Sequence, residues 1–289
     1  RIRRRINVKI QFLGTGAAEG IPAMFCDCEL CEYVREKKGR EIRHRASVII
    51  NDELIIDLGP DVFSVSAELG MNLKCVNYIL LTHSHLDHTD ILSIVSSLFR
   101  YRKNSTQRET NLKIVCTEYV AIHIRAGIKR MGITEQEFCD EVQVIVVTPG
   151  EKINLGRYSV EVIPSNHDNK EQCVLYLISD GSKTLFYATD SKQYSPEKLL
   201  PQYKNKECID IIISDCTFGK YTYPYGRHMG LEQNIKIKKE MEKCLMTTKE
   251  MRYFLTHITH NVKCSHNDLV KSAVPYGMEV AYDSQIVMI

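Results

Sequence analysis

The sequence predicts a layered α/β fold in which two β-sheets are faced by helices. Apolar runs with strand patterning, separated by turns, occur in both halves of the 289 residues. Helical stretches are dispersed among these runs, and no repeat or low-complexity linker divides the chain. A chain of this length is compatible with one large domain or two small ones. The mixing of strands and helices favours one α/β domain over residues 1–289.

The first half contains four predicted strands, one helix and one long loop. The strands are predicted at the segments VKIQFLGTG, ASVIIND, ELIIDLGPD and NYILLTHSH. The segment DILSIVSSLF then predicts a helix with Asp90 as its N-cap. The polar segment RYRKNSTQRETN, residues 100–111, predicts a long exposed loop.

The second half repeats this arrangement. Its predicted strands are VQVIVVTPG, YSVEVIPSNH, CVLYLISDG, TLFYATD, DIIISDCTF, RYFLTHI and MEVAYDSQIVMI, with helices near residues 196–202, 231–245 and 267–273. Five predicted strands of the chain end in side chains that metals bind: His83, His167, Asp190, Asp215 and His257. Because strand ends of a rigid scaffold present functional groups, these side chains predict a common site.

Composition and charge exclude several classes of protein. Hydrophobic residues make up 44% and charged residues 26%, as in ordinary soluble globular proteins. No apolar run approaches the roughly 18 residues that a membrane span needs, so no membrane partner is expected. The formal net charge is only +2, so we expect no stable nucleic-acid partner. The opening RIRRR is interpreted as a solvated terminus, and the missing initial Met indicates a trimmed sequence.

The eleven cysteines indicate a reducing compartment. Their odd number fits a cytoplasmic protein better than a disulfide scaffold. Several lie within apolar strand-like runs, where cysteine behaves as a small hydrophobe: Cys116, Cys173, Cys208 and Cys216. The sequence therefore predicts a cytoplasmic protein with free thiols.

The segment CDCELC is a separate cysteine cluster with metal-ligand spacing. It places Cys26, Cys28 and Cys31 within six residues, so we expect a zinc-binding loop around residues 26–31. Structural zinc is almost always four-coordinate, and a fourth ligand is missing locally. His260 in LTHITH is the candidate for this vacancy, so that His257 and His260 would serve different metals.

The segment THSHLDH carries the strongest chemical signal. It supplies His83, His85, Asp87 and His88 within six residues, a pattern expected by chance on the order of once in a thousand such chains. Imidazole and carboxylate together suit Zn, Mn or Fe. The alternation allows His83 and His85 to face one ion while Asp87 and His88, around the turn, face another.

Two ions need more ligands than this segment supplies. His167 is predicted to complete the first site and His257 the second, with Asp190 bridging the two ions. Two metals roughly 3.5 to 4 Å apart hold a hydroxide nucleophile and clamp the oxygens of a phosphoryl centre. The predicted reaction class is metal-assisted hydrolysis. Asp57 and Asp215 are candidate carboxylates behind the ligands, and Asp61 has either that role or a turn role.

The H-x-H-x-D-H motif with His167, Asp190 and His257 resembles the metallo-β-lactamase-fold hydrolases, whose fold is a four-layer αββα sandwich. The resemblance narrows to the phosphodiesterases of the carbon-phosphorus lyase pathway (PhnP-type). It rests on LGTGAAEGIPAMFCDCELC, LTHSHLDH, PSNH, ATDS, SDC, LTHITH and PYGMEVAYDSQIVMI, which together cover nearly the whole chain.

This resemblance implies a site and a substrate. The histidine and aspartate set would bind two divalent ions, Mn or Zn, and Cys26, Cys28, Cys31 and His260 one structural zinc. His228 in GRHMGLE would act in catalysis, together with Asp87. The implied substrate is a small cyclic phosphodiester, a ribosyl or nucleoside cyclic phosphate.

Other interpretations stay open at this point. One is a tRNA 3′-processing endonuclease of the same fold, although the near-neutral charge offers no basic clamp for RNA. Another is a non-catalytic binding or carrier protein of the pyrroloquinoline-quinone biosynthesis type, against which the complete ligand set argues. The tyrosines of TFGKYTYPYGRH, namely Tyr221, Tyr223 and Tyr225, are either loop packing or a stacking platform. A homodimer is an open alternative to a monomer.

Overall fold

A computed structural model describes residues 8–95, 112–223 and 226–289. These residues form fourteen strands and eight α-helices, which are numbered here in chain order. The predicted loop at residues 100–111, the RIRRR segment, the second half of the predicted helix after Asp90, and Tyr225 lie outside the described residues. In the part of the chain that is described, no helix has both the length and the apolar character needed to cross a membrane.

The first sheet has seven strands in the order β14-β1-β2-β3-β4-β5-β6. Their bounds are β1 (Lys9–Gly14), β2 (Ser47–Ile50), β3 (Leu54–Ile56), β4 (Tyr78–Leu80), β5 (Leu112–Cys116), β6 (Val142–Val146) and β14 (Ile286–Met288). Strand β1 pairs antiparallel with β14 and β2, whereas β3 to β6 run parallel. The carboxyl ends of β3 and β4 therefore meet at one edge of this sheet.

The second sheet also has seven strands, in the order β13-β12-β11-β10-β9-β8-β7. Their bounds are β7 (Lys152–Leu155), β8 (Tyr158–Pro164), β9 (Val174–Ser179), β10 (Thr184–Ala188), β11 (Ile209–Asp215), β12 (Thr247–Thr256) and β13 (Glu279–Val280). Strands β10 to β13 are parallel, and β7 to β10 pair antiparallel. Strands β8, β10, β11 and β12 therefore share one direction and end at the same edge.

The helices cover the outer faces of both sheets. Their bounds are α1 (Glu29–Lys37), α2 (Val62–Glu68), α3 (Ile91–Val95), α4 (Glu118–Arg130), α5 (Glu135–Glu141), α6 (Pro196–Leu199), α7 (Leu231–Lys243) and α8 (His266–Ala273). One apolar cluster contains residues of the first sheet and of the four helices α2, α3, α4 and α5 that pack on it. Another joins α1, α7 and α8 with the second sheet, and a third lies between the sheets. The predicted four-layer αββα sandwich is confirmed.

Strand side chains explain why the sheets are buried on both faces. In β12, Tyr253 and Leu255 pack into the helix-facing cluster, whereas Phe254 packs between the sheets. Because successive side chains point to opposite faces, a strand buried on both sides reads as a continuous apolar run. This is the pattern of YFL in β12 and of LFY in β10.

Six elements were absent from the sequence prediction: α1, α2, α4, α5, β5 and β7. The predicted helix at residues 231–245 ends at Lys243, and the one at 196–202 is split into α6 and a 3₁₀ turn at Pro201–Tyr203. The assignment of residues 1–289 to a single domain stays a prediction.

Candidate active site

The residues that follow the strand ends of the two sheets converge on one cluster. The first group contains His83 and His85, after β4, and His167, after β8. Their ligand atoms all lie within 4.8 Å of one another. His167 Nε2 is 3.4 Å from His85 Nδ1. The structure therefore brings together the three histidines predicted for the first ion.

The second group contains Asp87, His88 and His257. Asp87 Oδ2 is 3.0 Å from His88 Nε2 and 3.6 Å from His257 Nε2. All three side chains are buried. The two groups are adjacent, because the ring centroids of His83 and His88 lie 4.4 Å apart and both histidines also form a group with Asp190.

Asp190 lies between the two groups and presents a different oxygen to each. Its Oδ1 is 3.5 Å from His167 Nε2. Its Oδ2 is 3.1 Å from His88 Nε2 and 3.3 Å from His257 Nε2. Burial opposes ionisation of this carboxyl, but when the rings of His257 and His88 are protonated, their charge holds its pKa well below the ordinary value. Asp190 is therefore a carboxylate between the two groups, with Oδ1 toward His167 and Oδ2 toward His88 and His257.

Four ligand atoms of the cluster are buried and form no hydrogen bond of suitable geometry with the described residues, although His88 Nε2 lies 3.1 Å from Asp190 Oδ2: His83 Nε2, His88 Nε2, His257 Nε2 and Asp190 Oδ2. Burying a polar atom without a hydrogen-bond partner costs free energy. Four such atoms directed at one place therefore indicate a function. Imidazole nitrogens and carboxylate oxygens are ligands of divalent first-row metals. The residues present therefore fit the divalent ions that the predicted fold implies.

Asp57 orients the rings that come from the first sheet. Its Oδ1 accepts the backbone N–H of Thr82 at 2.9 Å, and its Oδ2 lies 2.7 Å from His88 Nδ1. Thr82 Oγ1 lies 2.9 Å from both Asp57 Oδ1 and His83 Nδ1. Because the single hydroxyl proton is donated to the carboxylate, His83 Nδ1–H donates to Thr82. This leaves Nε2 of His83 unprotonated toward the cluster.

Asp215 performs the same task in the second sheet. Thr217 Oγ1 lies 3.1 Å from Asp215 Oδ1 and 2.8 Å from His257 Nδ1. The Thr217 hydroxyl donates to the carboxylate, so His257 Nδ1–H donates to Thr217 and His257 Nε2 carries no proton. Asp215 Oδ2 also accepts the backbone N–H of Asp190 at 3.1 Å. Thus Asp57 and Asp215 lie behind the ligands, as predicted. Asp61 does not, because it binds the Arg45 backbone N–H and guanidinium at 2.9 and 2.8 Å.

The backbone of the site is unusual at its strand ends. Asp57, Asp190 and His257 have φ angles of 60°, 51° and 62°, in the left-handed region that non-glycine residues seldom occupy. A close approach occurs at Gly59, where an added Cβ would lie 2.2 Å from the Asp87 carbonyl oxygen. Only glycine lets the Asp57 loop pack this tightly against the THSHLDH loop.

His228 lies beside the cluster on the loop before α7. Its Nδ1 is 2.8 Å from Asp215 Oδ2, and its ring centroid is 4.8 Å from that of His167. Burial opposes protonation, but the Asp215 carboxylate raises the pKa of His228 to about 9. With Nδ1 engaged by Asp215, Nε2 is the ring nitrogen left for another partner.

Two contacts of the site were not predicted from the sequence. Glu171 accepts the Ser84 hydroxyl at 2.8 Å and the Ser84 backbone N–H at 3.1 Å, which joins the THSHLDH loop to the loop that carries His167. Asp168 Oδ2 lies 2.9 Å from Arg227 Nη1 and 3.6 Å from His85 Nε2. The proximity of Asp168 to His167 in the chain was the one sequence signal, and Glu171 had none.

The cluster forms the floor of a cavity of about 440 Å³. The rest of its lining includes Glu19, Thr259 and Asn261, and the loop residues Phe218, Tyr223, Arg227 and His228. Tyr223 is half-exposed and packs on Phe218 with ring centroids 4.5 Å apart, whereas Tyr221 is not in the lining. The cavity has room for a small ligand above the cluster.

The three cysteines of CDCELC meet His260 in a second cluster. The Sγ atoms of Cys26, Cys28 and Cys31 lie 3.5, 3.6 and 3.5 Å from His260 Nδ1. A tetrahedral zinc with Zn–S of about 2.3 Å and Zn–N of about 2.0–2.1 Å has N···S edges of about 3.6 Å. The donor set and its spacing therefore fit one zinc ion, and His257 and His260 serve different clusters.

An αββα sandwich with a histidine and aspartate cluster at its strand ends defines the class of metallo-β-lactamase-fold proteins. The family model of the beta-lactamase superfamily domain matches residues 53–258. The chain belongs to this superfamily. The fold of the superfamily implies divalent metal ions, and both clusters consist of side chains that could hold a metal ion.

Comparison with solved structures supports the same fold. A diphosphatase from the PhnP family has a TM-score of 0.73 at 22% identity, and the match covers 98% of both chains. Human tRNase Z, short form, has a TM-score of 0.64 at 13% identity, covering 96% of this chain and 98% of that one. Identities this low show the fold alone.

Two relatives are similar in sequence. Coenzyme PQQ synthesis protein B of Methylococcus capsulatus is 23% identical over 315 aligned positions, covering 95% of this chain and 97% of that protein. An octanoyltransferase of Porphyromonas gingivalis is 28% identical over 104 residues, or 35% of this chain. The chain matches only 20% of the length of that octanoyltransferase.

Proposed function

We propose that this chain is a metal-dependent phosphodiesterase that hydrolyses a cyclic phosphodiester, a ribosyl or nucleoside cyclic phosphate. The observation that carries the proposal is the position of Asp190, with one oxygen toward each of two ligand groups. When bound, two divalent ions supply an activated water nucleophile and neutralise charge on a phosphoryl group. The proposed ligands are His83, His85 and His167 for one ion and Asp87, His88 and His257 for the other.

The protein residues around the ligands set their geometry before substrate arrives. Asp57 and Asp215 hold the histidine rings with Nε2 free, and Glu171 ties the two loops of the first group together. Ligands fixed in this way would hold the ions without reorganisation during the reaction. Asp87, as a ligand in this preorganised set, is counted with the catalytic residues.

His228 is proposed as the proton donor. Hydrolysis adds water across one P–O bond, so phosphorus gains an oxygen while the leaving alkoxide must take a proton. Asp215 holds His228 by Nδ1 and leaves Nε2 for this transfer. Because His228 lines the cavity beside Asp190, its ring is close to the point where the leaving oxygen would depart.

The Cys26, Cys28, Cys31 and His260 cluster is proposed to hold one structural zinc. It joins the N-terminal loop to the segment that follows β12. Since His257 lies three residues before His260, the zinc would restrain the strand end that delivers a catalytic ligand.

The test of the proposal is metal analysis combined with hydrolysis of bis-p-nitrophenyl phosphate. We expect two divalent ions in addition to the zinc, and turnover that a chelator abolishes and Mn²⁺ or Zn²⁺ restores. A screen of ribosyl and nucleoside cyclic phosphates would then identify the ester. A diphosphate belongs in the screen because one similar structure is that of a diphosphatase.

One observation favours a second candidate. The similarity to coenzyme PQQ synthesis protein B covers 95% of this chain and favours a role in the synthesis of that coenzyme. For this second candidate we propose a non-catalytic binding or carrier protein. The complete ligand set and the Asp215-held His228 favour an enzyme instead. A metal-loaded protein that hydrolyses no phosphodiester or diphosphate would support the carrier. The shared fold favours the tRNA-processing alternative. The net charge of +2 argues against it, because it does not imply a basic surface for RNA.

A further inference from the structure

Glu19 is a carboxylate in the cavity wall that the proposed chemistry does not use. It lies in a turn closed by a hydrogen bond from Gly20 N–H to the Ala17 carbonyl at 2.9 Å. The turn is tied to the end of β12, because Ala17 N–H donates to the Ile258 carbonyl at 2.9 Å. Glu19 is therefore held in a fixed position relative to His257.

One oxygen of Glu19 makes the contacts that place the side chain. Oε1 accepts a hydrogen bond from the Thr259 hydroxyl and lies 3.7 Å from His260 Nε2. An ionised carboxylate has about four lone-pair positions on its two oxygens. The side chain is 29% exposed and lines the cavity, and Oε2 accepts no hydrogen bond from the described residues.

A simpler role for Glu19 would be to orient His260 of the cysteine cluster. Ligand histidines often pair their second nitrogen with a carboxylate. The 3.7 Å separation is longer than a hydrogen bond, however, and the same oxygen is already engaged by Thr259. That role leaves Oε2 and its position in the cavity unexplained.

The chemistry of the wall defines what Glu19 can bind. A carboxylate accepts hydrogen bonds and repels anions, so the phosphate of a ligand belongs over the histidine cluster and a neutral donor group belongs at Glu19. Thr259 and Asn261 add polar atoms beside it, and Phe218 and Tyr223 provide apolar surface elsewhere in the lining. Sugar hydroxyls are donors of this kind, and carboxylates bind ribose hydroxyls in dinucleotide sites.

We propose that Glu19 is a specificity-determining residue that accepts hydrogen bonds from the hydroxyls of a sugar carried by the phosphate ester. The inference rests on the proposed function, which it deepens by assigning the recognition of the sugar. A phosphate ester without hydroxyls would leave the carboxylate without its donors and bind more weakly.

The experiment measures binding and not turnover. Metal-loaded protein is titrated in a calorimeter with ribose 5-phosphate and with phenyl phosphate, which has no hydroxyl donor. We expect ribose 5-phosphate to bind more tightly to the wild type. Glu19→Ala should weaken it about 10-fold and change phenyl phosphate by less than about 2-fold. Glu19→Gln keeps one acceptor oxygen, so its affinity for ribose 5-phosphate should lie between those of the wild type and Glu19→Ala. Glu36 is an exposed carboxylate on α1, and Glu36→Gln should bind both ligands as the wild type does.

Two results would overturn the inference. One is an equal weakening of both ligands in Glu19→Ala, above all with loss of zinc, which would assign Glu19 to the cysteine cluster. The other is a wild type that binds ribose 5-phosphate no better than phenyl phosphate. Hydrolysis of bis-p-nitrophenyl phosphate is measured on the same samples, so a failure of the phosphodiesterase proposal is visible separately.

Discussion

Asp215 Oδ2 lies 2.8 Å from His228 Nδ1, and this contact fixes which nitrogen of His228 is left for the cavity. Asp215 also accepts the Met229 backbone N–H at 3.0 Å, so it anchors two consecutive residues of the loop before α7. The same carboxylate orients His257 through Thr217. One residue therefore positions a proposed metal ligand and a proposed proton donor together.

Replacing His228 by Ala should separate proton donation from metal binding. We expect both active-site ions to stay bound, because His228 is not among their proposed ligands. Turnover should fall about 10²- to 10⁴-fold on a ribosyl or alkyl diester and much less on a nitrophenyl ester, whose leaving group needs no proton. Kinetics on the two esters, with metal content measured in parallel, check this. An equal loss on both esters would instead indicate that His228 binds phosphate or supports the loop.

The contact between Glu171 and Ser84 should control metal affinity at the first group. Glu171→Gln loses one of the two acceptor oxygens, and Ser84→Ala loses the hydroxyl donor. Each should lower affinity about 10- to 100-fold, as other contacts behind metal ligands do. Because both substitutions break the same contact, the double variant should lose less metal-binding free energy than the sum of the losses in the two single variants.

Chelator competition measures these affinities. Glu68→Gln, an exposed carboxylate on α2, is the matched control and should keep the affinity of the wild type. Fully additive losses in the double variant would mean that the two residues act independently of their contact.

His260→Ala should affect stability more than chemistry. Loss of one of four ligands weakens zinc binding, and the binding free energy of a structural zinc is folding free energy. We expect a lower melting temperature, loss of the zinc and retention of the active-site ions. His123→Ala, an exposed histidine on α4, is the control. Protein purified under reducing conditions without any cysteine-bound metal would contradict the zinc site.

His44 should make stability depend on pH. The hydrogen bond from its Nδ1 to Asp283 at 2.8 Å raises the pKa of His44, and partial burial opposes this. Because the pKa of His44 is higher in the folded state, protonated His44 stabilises the fold. This stabilisation is complete below the pKa of about 6.5 in the unfolded chain and is lost as pH rises through the pKa in the folded state.

The check is the free energy of unfolding in urea for the wild type and His44→Gln. The substitution should cost more at pH 5.5 than at pH 9. A cost that is the same at both pH values would show that the imidazolium contributes nothing. His123→Gln, with its exposed ring, should behave as the wild type at both.

The members of both clusters were predictable from the sequence because each chemical signal is local. THSHLDH and CDCELC hold metal-compatible side chains at short spacing, and His167, Asp190 and His257 lie shortly after the ends of strands. Partners distant in sequence were not predictable. Ser84 and Glu171 are 87 residues apart, and nothing near either residue indicates the other.

The missed elements differ in cause. In α4, the buried Val120, Ile124 and Ile128 follow a helical spacing, and Thr134 and Glu137 form a capping box at the start of α5, so both signals were present in the sequence. Strand β7 is a mostly exposed edge strand with a weak apolar pattern. Helix α1 begins within CDCELC, where metal-ligand spacing concealed the helix.

The bridging position of Asp190 is tested most directly by metal content and turnover of an Asp190 variant. Asp190→Ala should lose at least one active-site ion and nearly all hydrolysis of bis-p-nitrophenyl phosphate, while the zinc stays bound. Because Asp190 has a φ of 51°, Asp190→Asn is measured as well, since Asn tolerates this backbone conformation better than Ala. Asn lacks the negative charge and should also lose metal affinity. Full activity in wild-type protein depleted of active-site metal, or both ions retained with normal turnover in the two variants, would contradict the account.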